Sequence, residues 1–168
     1  MKRSLLLILA VALSLTLAGC GKTMTAPDGL IAKAREVIPV SEADTIDLRI
    51  VGSVEKADGN ALVWFMSGND RQAHYYLPME CILKGADRYE YVRVGKPMER
   101  GADIAVYPWE GGYAFLINNE SCTSVHLTDS TGDHVIDVTA VDSDPFAFYW
   151  EEIPTEYTFR DAAGNEIR

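Results

Sequence analysis

Between Arg100 and Arg160 the chain has no Lys or Arg, while that stretch carries eleven acids running from Asp103 to Glu156. Phosphate binding needs clustered cations, so this gap and a formal net charge of -10 argue against a nucleic-acid partner. Cysteine is scarce, with three in 168 residues and no Cys-x-x-Cys pair, which leaves no thiolate zinc spacing. The chain also lacks Gly-x-Ser-x-Gly, His-Glu-x-x-His and the glycine patterns of nucleotide-binding loops. No cofactor is indicated by any of these spacings, and the expectation is a protein that is not an enzyme. Finally, there is no long apolar run: the longest, Leu5 to Leu17, is interrupted by Ser14 and Thr16 and falls short of the roughly 20 residues that cross a bilayer.

What that short run does have is context. Met1-Lys2-Arg3 precedes it and Ala18-Gly19-Cys20 follows, giving the cationic start, apolar centre and small-residue exit of a secretory signal. Leu17-Ala18-Gly19-Cys20 resembles the lipobox of bacterial lipoproteins. The resemblance implies cleavage before Cys20, acylation of its sulfur with palmitate-type chains, and membrane lipid as a partner through that residue. It places the protein at the bacterial cell membrane or outer membrane, lipid-anchored and facing the extracytoplasmic side. Residues 1–19 are then signal peptide, 20–26 a lipidated Cys and short linker, and 27–168 a single domain. Cleavage removes Lys2 and Arg3 but no acid, so the charge moves from -10 to -12.

After residue 19 the chain has 22 Val plus Ile against 7 Leu, a balance that favours strands because β-branched side chains suit a pleated surface. One helix is predicted over Asp28–Ile38, where Leu30, Ile31, Ala34, Val37 and Ile38 share a face between Pro27 and Pro39. From Thr45 the period becomes two, with turns at Asp58-Gly59-Asn60 and Ser67-Gly68-Asn69-Asp70. Further strands are predicted at 71–77, 80–84, 88–94, 104–107, 113–118, 124–128, 134–141, 146–150 and 156–160. This spacing reads as a mainly β domain, an antiparallel β-sandwich with one short N-terminal helix, with a small antiparallel β-barrel as the alternative. Tyr157-Thr-Phe-Arg-Asp-Ala-Ala-Gly-Asn-Glu-Ile167 resembles the closing strand and turn of Ig-like modules in bacterial surface proteins.

With Cys20 lipidated, Cys81 and Cys122 form an even pair in an exported chain, so a disulfide between them is expected. Asp129-Ser-Thr-Gly-Asp133 and Asp142-Ser-Asp144 are the best oxygen clusters for Ca²⁺. Neither has the glycine position of an EF-hand loop, and Asp, Ser and Gly suit hairpin turns without an ion, so no metal is assigned. All 16 aromatic residues lie beyond the signal. Trp109 and Tyr113 flank a glycine turn and Tyr89 and Tyr91 share a strand face, which makes these four the candidate ligand-binding rings. The functional expectation is a noncatalytic binding or interaction module at the cell envelope with a protein or glycan partner. Its alternatives are a carbohydrate-binding module and an accessory to an envelope enzyme.

Overall fold

The computed structural model describes residues 23–38, 46–68, 75–99, 101–139 and 145–168; Cys20, Asp142 and Asp144 lie outside these. The chain opens with β1 (Thr23–Thr25) and α1 (Asp28–Val37), followed by β2 (Leu48–Glu55), β3 (Asn60–Ser67), β4 (Tyr75–Leu83), β5 (Arg88–Val94) and the two-residue β6 (Met98–Glu99). Then come β7 (Ile104–Trp109), β8 (Gly112–Ile117), β9 (Ser124–Asp129), β10 (Gly132–Asp137), β11 (Phe146–Trp150), β12 (Glu156–Arg160) and β13 (Glu166–Ile167). They form three sheets, all with antiparallel pairing: β1-β5-β4-β3-β2 with β6 also on β4, then β11-β8-β7, then β10-β9-β12-β13. The expected mainly β, antiparallel sandwich with one short helix is therefore the fold, and the closing hairpin pairs Phe159 with Ile167.

Alternation along the strands decides the layering. On β3, Ala61, Val63 and Phe65 face one way and meet Leu30 and Ala34 of α1, while Leu62, Trp64 and Met66 face the other. That second set packs on Ala105, Ala114 and Leu116 of the middle sheet. The middle sheet's opposite face presents Ile104, Val106, Phe115 and Ile117 to Val125 and Leu127 of the third sheet. The order is helix, sheet, sheet, sheet, with a core in each of the three gaps. Across the middle gap Trp64 meets Tyr107 edge-on at 6.3 Å in a core it shares with Ala105 and Ala114. There Gly52 of β2 comes so close that a Cβ would stand 3.1 Å from the Ala147 Cβ.

Three sequence expectations need correction. Residues 21–26 are not all linker, because Thr23, Met24 and Thr25 pair with Glu90, Tyr89 and Arg88 and bury Met24. One apolar residue between two threonines is too short a pattern to read as a strand. The predicted strands 71–77 and 80–84 are not separate either where the structure describes them, because β4 runs through Pro78. The Pro78 carbonyl accepts from Gly95 N at 2.8 Å, so the missing N–H lies on that same side, between the stretch paired with β6 and the stretch paired with β5. Pairing with Trp64 of β3 is kept.

The third correction concerns the thiols. Cys81 is buried in the core under α1 and Cys122 in the core between the middle and third sheets, and both are free. A disulfide needs Cα atoms within about 7 Å, whereas stacked sheets stand about 10 Å apart and the middle sheet intervenes. Burial pushes the Cys81 thiol up to about 12, helped by the neighbouring Glu80 charge, and burial raises Cys122 as well. Both behave as small apolar side chains.

Candidate functional site

The four candidate rings do not form one surface. Trp109 is 3% exposed, packed edge-on against Tyr149 at 5.2 Å in the core between the first two sheets. Tyr113 lies against Phe115 and Tyr157 at the rim of the next core. Tyr89 is buried under α1 and donates to Glu55 Oε1 at 3.0 Å; burial, then that bond, hold its hydroxyl at about 12. Alternation along the strand was read correctly for Tyr89 and Tyr91, which share the α1 side. The presence of a covering layer on that side was not. Among the described residues the most exposed aromatic ring is Tyr75, at 43%, so there is no row of open rings to stack on a sugar.

Tyr91 is the candidate that keeps an open neighbourhood. It lines a groove of about 460 Å³ where β1, α1 and β5 meet, with Thr23, Met24, Ala32, Lys33 and Glu36. The Lys33 ammonium stands 4.8 Å from the Tyr91 ring centre and 2.8 Å from Glu36 Oε1. At the next rung along, Lys84 pairs with Glu90 at 2.9 Å. The groove therefore offers apolar floor and compensated charges at the very edge of the first sheet.

Asp129 builds the densest polar cluster. Its Oδ1 accepts from the backbone N and the hydroxyl of Thr131, both at 2.7 Å, and lies 3.2 Å from His134 Nε2. Its Oδ2 accepts from Trp150 Nε1 at 2.9 Å, which ties the β9–β10 turn to β11 of the middle sheet. The Thr131 hydroxyl also sits 3.0 Å from the same His134 nitrogen. A nucleophile relay needs the histidine to use one ring nitrogen for the hydroxyl and the other for the carboxylate. Here both partners share Nε2, and the Thr131 proton goes to Asp129, so the geometry anchors a turn.

The calcium pairing fails on the same geometry. Asp133 pairs across the ladder with Thr128, takes its hydroxyl bond at 2.8 Å, and is exposed. Asp129, one residue along from Thr128, points inward, so the two carboxylates occupy opposite faces of the sheet. Asp142 and Asp144 lie outside the described residues. No group of three or more His, Cys, Asp or Glu among the described residues is placed to hold a metal.

The Asp129 contacts imply a pH dependence. The Thr131 hydroxyl first, then the backbone N, Trp150 and His134, hold its carboxyl well below the usual carboxylate range, against the opposing effect of burial. A depressed folded pKa contributes stability that is full above the unfolded value of about 4 and is lost as pH falls toward the folded value. Asp129→Asn is therefore expected to lower the melting temperature at pH 7 and to converge on wild type as the pH drops below about 4. A constant gap across that range, followed by circular dichroism, would rule the linkage out.

Sequence reasoning missed a second buried carboxylate. Glu80 accepts from the Tyr107 hydroxyl at 3.0 Å and from Arg93 Nη2 at 2.8 Å. Burial, then this bond, raise the Tyr107 pKa. Glu80 and Tyr107 are 27 residues apart, and no local pattern links them. Fold and clusters together define a layered, mainly β protein whose buried acids are satisfied internally. Comparison with known protein families, characterised proteins and solved structures finds no match.

Proposed function

We propose that this protein is a membrane-anchored extracytoplasmic lipoprotein of the bacterial cell envelope, acting as a noncatalytic binding or interaction module. The observation that carries the reading is the sequence Leu17-Ala18-Gly19-Cys20, set only three residues before the start of β1 at Thr23. Among the described residues no helix is long and apolar enough to cross a membrane, and in this reading attachment is through acyl chains on Cys20. Each buried CH₂ contributes about 0.8 kcal/mol, so two or more chains hold the protein stably. The buried carboxylates support a noncatalytic role, because Asp129 and Glu80 direct their lone pairs to donors within the protein. Among the described residues there is no row of open rings, which weighs against the carbohydrate-binding alternative and leaves a protein partner as the favoured one.

Cys20→Ser decides the anchor. The variant is expected to leave the membrane fraction and appear as soluble protein with an unchanged circular dichroism spectrum. Retention in the membrane fraction at the wild-type level would sink the reading.

A further inference from the structure

We infer that the corner where β1, α1 and β5 meet is the face the domain lays against the bilayer headgroups, an inference that rests on the lipoprotein reading of Cys20. The argument is one of reach. Three Cα steps separate Cys20 from Thr23, and fully extended they span about 11 Å at most. Thr23 is held in the first sheet by its pairing with Glu90 and lines one groove with Ala32, Lys33 and Glu36. A lipid on Cys20 thus brings this corner to the headgroup layer, and the leash is too short for the domain to present any distant surface instead.

The chemistry of the corner fits that neighbour. The groove combines the apolar Met24, Ala32 and Tyr91 with the Lys33–Glu36 pair, and the adjacent Lys84–Glu90 pair leaves little net charge to repel a lipid surface. The opposite pole does not fit. The third sheet lies two sheet spacings away, about 20 Å, and its outer face presents Asp133, Val135 and Glu156, with Arg160 on the same face. An anionic leaflet would repel those acids. Tether length and charge give the same orientation, with the helix corner at the membrane and the acidic sheet outermost.

The test uses the full acylated chain reconstituted in vesicles of phosphatidylethanolamine and phosphatidylglycerol that carry a headgroup-attached quencher. A fluorophore is placed on Ala32→Cys or on Val135→Cys, both exposed positions; Cys81 and Cys122 are buried and do not compete for label. The label at residue 32 is expected to be quenched several-fold more than the label at 135. Equal quenching, or stronger quenching at 135, overturns the orientation while leaving the anchor intact. Flotation with the vesicles is scored first: an unlabelled chain with Cys20 present that fails to float overturns the lipoprotein reading, and the orientation with it.

Discussion

Gly112→Ala is expected to destabilise the protein by roughly 4 kcal/mol or more, among the largest effects a single methyl group can produce. Gly112 opens β8 directly after a tight turn in which Glu110 and Gly111 both have positive φ, at 50° and 81°. A Cβ on Gly112 would overlap the Trp150 carbonyl oxygen and lie 2.8 Å from that of Glu151. These are backbone atoms of the neighbouring chain segment, so no rotamer change relieves the contact, and β8 and β11 must part. Gly111→Ala is the informative control. Its Cβ would meet nothing within 4 Å, and only the left-handed φ is unfavourable, at about 1 kcal/mol. Chemical denaturation of the two variants checks the contrast. If Gly112→Ala costs no more than Gly111→Ala, the close approach of β8 to the end of β11 is wrong.

Phe115→Ala is expected to cost about 4 kcal/mol, with Phe115→Leu closer to 1 kcal/mol. The ring is fully buried and stacks on Phe148 at 4.7 Å with planes 6° apart, and it meets Tyr157 edge-on at 5.6 Å. Removing it leaves a cavity between the middle and third sheets, ringed by aromatic groups too large to collapse inward. Equilibrium urea unfolding measures the loss. An alanine variant within 1 kcal/mol of wild type would mean that this core closes over the gap.

Legibility in the sequence followed the range of the interaction. The helix was predicted at 28–38 and ends at Val37, because its apolar spacing is local. Strands such as 88–94 and 156–160 were read with their observed limits for the same reason. Two neighbours of a different kind were invisible. Thr23–Thr25 is a strand only because β5 offers it an edge, and β4 crosses Pro78 because the missing N–H falls between its β6-paired and β5-paired stretches. At the sites, the Asp129-Ser-Thr-Gly-Asp133 turn was read as turn chemistry, and the Asp129 bonds to Thr131 show why. The partner that makes this turn a tie between sheets, Trp150, is 21 residues away and has no signature. Likewise the alternation of Ala114 and Leu116 with Phe115 and Ile117 announced a strand, but not that both of its faces are covered. The cover on the Ala114 and Leu116 side is what buries Trp109, and the layer separation keeps Cys81 and Cys122 apart.

The doubly covered middle sheet also has a consequence in time. A chain that emerges from its N-terminus first makes β7 and β8 before the strands of the third sheet exist, and β12 ends only at Arg160. Until then Val106, Phe115 and Ile117 have only Val125 and Leu127 of β9 opposite them, and the part of their surface that Tyr157 and Phe159 of β12 cover meets water. Completion is therefore late and joint: the last strands close the third core and at the same moment give the middle sheet its second wall. The first sheet with α1 can be ordered early, but a nascent chain paused before residue 156 carries a sticky apolar plane, and the interval before those strands arrive is when this protein is most open to misassembly.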